Sequence, residues 1–173
     1  NFFKWELLIW LWIAYFFNQA DRQVFNILLP LIKVDLGITD TQIGLVASLF
    51  VLCVGLCTPI AGFVGDLFSR KKIIIFSLFF WSIATFFTGF SYTIVQLVFL
   101  RSIAVGGGEA FYAPSANAII CEYHKKTRAL AMSIHQTSLY VGIILSGILG
   151  GVIAEHYGWR SAFYLFGGIG IVL

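Results

Sequence analysis

The sequence predicts an all-α membrane protein, a bundle of six transmembrane helices, and three observations carry that prediction. Of its residues, 60% are hydrophobic and 11% charged, with a mean hydropathy of +0.92, whereas soluble domains carry about 25% charged residues. Residues 41–65, 73–100 and 129–154 contain no Asp, Glu, Lys or Arg, and each is long enough to cross a bilayer, which takes about 20 residues. Basic residues recur in alternate loops: Lys4 at the start, Arg70, Lys71 and Lys72 after the second span, and Lys125, Lys126 and Arg128 after the fourth. Cytoplasmic loops of membrane proteins hold the excess of Lys and Arg, so the pattern predicts a cytoplasmic N-terminus and explains the net charge of +3 without a nucleic-acid partner.

The first helix is predicted over 5–32. Asp21 and Arg22 interrupt its apolar run, yet the uncharged stretch before them, 7–20, reaches only about 21 Å as a helix, short of the roughly 30 Å of hydrocarbon. Both charges therefore fall near the middle of one long helix. At 100° per residue Asn18, Asp21, Arg22 and Asn26 share an arc. A charge at mid-bilayer costs about 3 kcal/mol, so this stripe is expected to face protein or water.

The second helix is predicted over 42–65, with Thr39 or Asp40 as its N-cap, and the third over 72–89. The fourth, 93–120, carries Arg101, Gly108, Glu109, Tyr112 and Ser115 on one broad face, interrupted by Gly106, Gly107 and Gly108. Arg101 comes out level with Asp21 in depth, and Glu109 about 12 Å nearer the cytoplasm. The expected arrangement is an Asp21 to Arg101 ion pair, with Arg22 and Glu109 left to engage protons or substrate. In the fifth helix, 128–154, Gly147 and Gly151 form a GxxxG pair that suits close helix packing. Ser133, Gln136, Thr137 and Tyr140 make a polar face there with His135 beside it, and His124 and His156 are expected to be solvated. The sixth helix is predicted over 161–173. The chain begins on Asn1 and stops inside an apolar run, so it is expected to be a piece of a longer protein, its sixth helix truncated.

Cys53, Cys57 and Cys121 form no CxxC pair, and no HExxH, Ser/His/Asp-like set or phosphate loop appears, so neither an enzyme nor a cofactor or metal is expected. Intramembrane ionisable groups mark transport pathways and proton relays. A channel subunit would present a repeated pore-lining ring, which one helix bearing Asp, Arg and Asn matches poorly.

The stretch GFVGDLFSRKK, 62–72, resembles the loop signature of the major facilitator superfamily, G-x-x-x-D-R-x-G-R-R/K, through Gly62, Asp66, Arg70 and Lys71; Leu67 and Ser69 depart from it. Arg101 before the Gly-rich run and GWRSAF at 158–163 are similar to further features of that family. GIILSGILGG at 142–151 has Gly147 where drug antiporters carry proline. The pairs Asp21–Arg22 and Glu109 within Gly-Glu-Ala resemble two branches: Spinster-like transporters of lysolipids, favoured by DLFSRKK, WSIAT and GGVIAEHYGWR, and anion/cation symporters of hexuronates.

The resemblance implies the N-terminal half of a twelve-helix carrier, two inverted three-helix repeats, set in a bacterial inner membrane and completed by a missing C-terminal half. It implies proton coupling at Asp21 and Glu109. It further implies contact with a small organic anion or amphiphile through Arg22 and Arg101, to which the polar helix faces add Asn18, Asn26, Tyr112, His135 and Gln136 as candidate contacts, and gating through Gly62, Asp66, Arg70 and Lys71.

Overall fold

The computed structural model describes residues 2–173. They form six helices, α1 (Phe2–Leu36), α2 (Asp40–Leu67), α3 (Arg70–Thr88), α4 (Ile94–Tyr123), α5 (Arg128–Tyr157) and α6 (Trp159–Val172), with no strand among the described residues. Helices α2 to α5 are each long and apolar enough to cross a membrane. Most helices extend beyond their predicted ends, because polar residues past the hydrocarbon still continue a helix until a cap stops it. Gly37, at φ 61°, ends α1. Thr39, rather than Asp40, caps α2: its Oγ1 accepts from the Gln42 N–H while Gln42 Oε1 accepts from the Thr39 N–H. Thr93 and Gln96 repeat the device at the start of α4.

Two departures from regular geometry fall in α4. Residues Val98–Val105 form a π-helical stretch around Arg101, a widened turn often found at functional sites. The helix is interrupted again at Phe111, just before Pro114, whose ring clashes with the carbonyl four residues back and which has no N–H to donate.

The packing has an internal symmetry. α1 packs along α5 as α2 packs along α4, and α3 packs against α6; exchanging helices 1, 2, 3 for 4, 5, 6 maps this set onto itself, as two inverted repeats require. The α1–α5 contact uses one member of the predicted GxxxG pair, Gly147, where a Cβ would lie 3.0 Å from Ile27 of α1. A Cβ on Gly142 would lie 3.0 Å from the Phe16 carbonyl and one on Gly150 3.1 Å from Val24, whereas one on Gly151 would meet nothing. Gly142, buried Ser146, Gly147 and Gly150 therefore form the close-approach face.

Buried apolar residues gather in two clusters. One, nearer the end bearing the N-terminus, joins Leu8, Leu11, Trp81, Val105, Tyr112 and Ile120; the other joins Val24, Leu28, Val46, Leu97, Phe163 and Phe166. Along α1 buried Asn18 falls between the two clusters and Asp21 one residue into the second, and along α4 Arg101 and Ser102 fall between them. The charged layer thus sits where the two cores meet. The exterior is apolar, above all on α2, where only Val46, Ala61 and Gly65 are buried and Val51, Leu56, Ile60 and Phe63 stand exposed. Such a surface suits lipid or a further helical body.

His124 is a correction to the expected solvated loop: it is buried. Its Nε2 donates to the Lys4 carbonyl at 3.0 Å, its Nδ1 bonds Thr127 Oγ1 at 3.0 Å, and Trp5 packs edge-on at 4.9 Å. The aromatic start of α1 folds over this loop, a long-range contact that loop composition does not reveal.

At the opposite end Asp35 gathers three segments. Its Oδ2 accepts from Arg160 Nη1 at 2.5 Å and Trp159 Nε1 at 3.1 Å, while Arg160 Nη2 donates to the Ser91 carbonyl. Gly158, at φ 82°, provides the sharp turn that starts α6 here. The bonds from Arg160 and Trp159 hold the Asp35 carboxyl below its usual range. Its contribution to stability is therefore complete above the unfolded carboxyl's 3.8 and disappears as pH falls through the lower folded value. Because the pair is partly exposed, Asp35→Asn is expected to cost no more than about 1 kcal/mol. Thermal melts at neutral pH should show that loss, and melts at the lowest pH should show the two proteins converging.

Candidate functional site

Asp21, Arg101 and Glu109 are each buried, while the Arg22 side chain is 36% exposed and that of Glu109 fully covered. The structure brings these four together and redistributes the expected pairing. Arg22 Nε donates to Glu109 Oε2 at 2.6 Å. Arg101 Nη2 donates at 2.8 Å to the main-chain carbonyl of Asp21, not to its carboxylate, and Asp21 Oδ2 accepts from Thr85 Oγ1 at 3.2 Å. The equal depth of Asp21 and Arg101 holds; the Asp21 to Arg101 carboxylate pair does not. The expected pairing compared Cα heights alone. Helical side chains lean toward their own N-terminus, so on antiparallel α1 and α4 Arg22 and Glu109 lean toward each other and close the axial gap.

Aromatic rings stand in for water around the cations. The Arg22 guanidinium lies 5.0 Å from the Phe50 centroid, and that of Arg101 4.8 Å from Phe25 and 6.0 Å from Phe50. Gly108 lets α4 approach α3 so closely that a Cβ there would lie 3.1 Å from Trp81; Ser77 Oγ donates to the Gly108 carbonyl beside it. Asp21 Oδ1, Glu109 Oε1 and Arg101 Nη1 have no hydrogen-bond partner among the described residues. The site thus keeps unused donor and acceptor capacity within a buried charged layer, which is unusual for groups that only join helices.

The other candidates separate. Asn18 is buried beside the pair and accepts from Gln19. Asn26 and Gln136 are exposed and join no bond to the charged layer. His135, beside the polar face of α5 as expected, is buried: Tyr15 stacks on its ring at 4.7 Å and its Nε2 meets Tyr112 Oη at 3.0 Å. Since Tyr112 Oη donates to the Leu11 carbonyl at 2.6 Å, it accepts from His135, whose Nε2 carries the proton. His135 and Tyr112 therefore tie α5 and α4 to α1.

In the loop motif Arg70 joins Asp66 at 3.5 Å and Glu122, near the end of α4, at 3.2 Å. Lys71 forms no ion pair among the described residues, and a Cβ on Gly62 would meet nothing within 4 Å. Sequence reasoning missed Glu122, Thr85, Phe25 and Phe50. Only Glu122 left a signal, an acid in the last turn of α4 facing the same membrane side as the basic loop. Thr85 and the phenylalanines are indistinguishable in sequence from packing or lipid-facing residues.

The chain has relatives among curated proteins, and it spans less than half the length of each. The probable sulfoacetate transporter SauU of Cupriavidus necator is 30% identical over 92% of this chain and 37% of its own length. The sphingosine-1-phosphate transporter SPNS2 of Mus musculus is 34% identical over 84% of this chain and 27% of its own. A probable galactarate/D-glucarate transporter, GudP of Escherichia coli, is 26% identical over 98% and 39%. Among solved structures, a bacterial homolog of the human lysosomal transporter Spinster, inward-facing and unoccupied, superposes with a TM-score of 0.88 at 27% identity over 98% of this chain and 41% of that one. The profile described as Major Facilitator Superfamily matches residues 11–173, and with six helices in two inverted repeats this chain belongs to that superfamily as an integral, multi-pass membrane protein resembling the N-terminal half of its carriers.

Proposed function

We propose that the full-length protein is a secondary active carrier that moves an organic anion, or an amphiphile with an anionic head, together with protons. The observation that carries this reading is the Arg22–Glu109 pair: a buried acid whose cationic partner is one-third exposed. An anion that draws the Arg22 guanidinium away leaves Glu109 without its counter-charge, and a proton compensates it; release of the anion reverses both steps. Substrate and proton are then bound together by charge balance. Arg101 lends a second cation near Phe50, Asn18 a neutral contact beside the pair, and Asp21, held by Thr85, a second acid.

The relatives support both substrate classes. One is named for sulfoacetate, one for sugar diacids and one for sphingosine-1-phosphate, and all three compounds carry an anionic group that a guanidinium recognises. The alternating basic loops support a cytoplasmic N-terminus. In that orientation the Asp66–Arg70–Glu122 link joins the cytoplasmic ends of α2 and α4 and would gate the cavity from that side.

The test is reconstitution of the full-length protein in liposomes with a pH-sensitive dye inside, using sulfoacetate, glucarate and a lysophospholipid in turn. One substrate is expected to move with a fixed number of protons per molecule. Substrate flux without any stoichiometric proton movement, as in a channel, overturns the coupling.

A further inference from the structure

Outside the charged layer an apolar groove of about 720 Å³ runs between α2 and α3, floored by α4. Its walls include Cys57, Ile73, Phe76 and Ile103, and Gly107 keeps the floor open: a Cβ there would have only Cys53 Sγ, at 3.9 Å, within contact. Along α2 the groove runs from Cys53 to Phe68, about 22 Å at 1.5 Å per residue, which covers one leaflet of roughly 15 Å. Its composition changes at one end only. There Lys72 reaches the mouth, exposed and in no ion pair among the described residues. The first turn of α3 lacks a side-chain cap, so its free N–H groups add to the positive end.

An apolar channel one leaflet long that ends in an unpaired ammonium matches one occupant: an acyl chain whose headgroup is anionic. We infer that the α2–α3 groove is a binding site for an anionic glycerophospholipid of the leaflet on the basic side, its chain along Ile73, Phe76 and Gly107 and its phosphate at Lys72. A helix from the other half of the carrier would fill the groove but leave Lys72 unanswered, and a zwitterionic lipid would gain little from it.

The probe is phosphatidylglycerol against phosphatidylcholine. The full-length protein is to be purified from vesicles holding equal parts of the two, then stripped stepwise with detergent and weighed by native mass spectrometry. One tightly held phosphatidylglycerol per chain is expected, with retention falling at least fivefold in Lys72→Gln, which removes the charge, and in Gly107→Leu, which fills the floor. Cys57 is to be titrated with N-ethylmaleimide on the same samples, slowly before stripping and faster after it. Equal retention of the two lipids, unchanged retention in Lys72→Gln, or Cys57 that stays protected after stripping, as under a protein helix, each overturns the assignment. Lys72→Gln changes only an exposed side chain, so it remains decisive should Gly107→Leu fail to fold.

Discussion

In the full-length carrier, Glu109→Gln is expected to abolish accumulation driven by a pH gradient while leaving exchange of substrate across the membrane within a few-fold of the parent. A gradient of two pH units supplies about 2.7 kcal/mol for each coupled proton, enough for roughly 100-fold accumulation. Glutamine keeps the size of the acid and can still accept a hydrogen bond from Arg22, so the helix contact and the anion site persist. What it cannot do is take up a proton when Arg22 is drawn away. Internal and external substrate should then equalise, a loss of roughly 100-fold in the steady-state ratio, whereas counterflow, which needs no net proton movement, continues. Asp21→Asn provides the contrast. Asp21 accepts from Thr85 and shares no bond with Arg22, so a smaller loss of accumulation is expected there. Accumulation that survives in Glu109→Gln and vanishes in Asp21→Asn would move the coupling role from α4 to α1.

How far the sequence reaches is clearest at this site. Helix length alone predicted Asp21 and Arg22 inside the membrane, because no 14-residue segment spans the hydrocarbon, and periodicity predicted Arg101, Glu109 and Tyr112 on one broad face of α4, where the structure buries all three. Partner choice was not legible. It turns on side-chain lean and on the π-helical stretch around Arg101, and Val98–Val105 contains no residue that announces a widened turn. The aromatic floor was hidden for a different reason: Phe50 belongs to an α2 that is apolar on every side, so nothing separates the phenylalanine under two guanidiniums from those facing outward. His124 was misjudged because local polarity says nothing about a ring brought in from residue 5.

Arg22→Met is expected to destabilise the protein by about 3 kcal/mol, at the lower end of the 3–5 kcal/mol for breaking a buried ion pair, because Arg22 retains partial access to solvent. Most of this loss is the cost of leaving the Glu109 carboxylate covered without a counter-charge, not the attraction itself. The two contributions separate in a double-mutant cycle. Glu109→Gln alone leaves a partly exposed guanidinium, which keeps its contact with Phe50, so a smaller loss of about 1 kcal/mol is expected. With both changes neither member of the pair leaves an uncompensated charge behind, and the double variant should recover most of what Arg22→Met loses, to a net loss of about 1 kcal/mol and a coupling energy of about 3 kcal/mol measured by thermal or denaturant unfolding in one detergent. Additive losses would mean that the two side chains do not face each other in the full-length carrier. The same cycle bears on transport: an ion pair that held α1 to α4 by its own strength would leave the double variant as weak as the worse single variant, whereas a pair kept for charge balance leaves a stable protein that no longer couples.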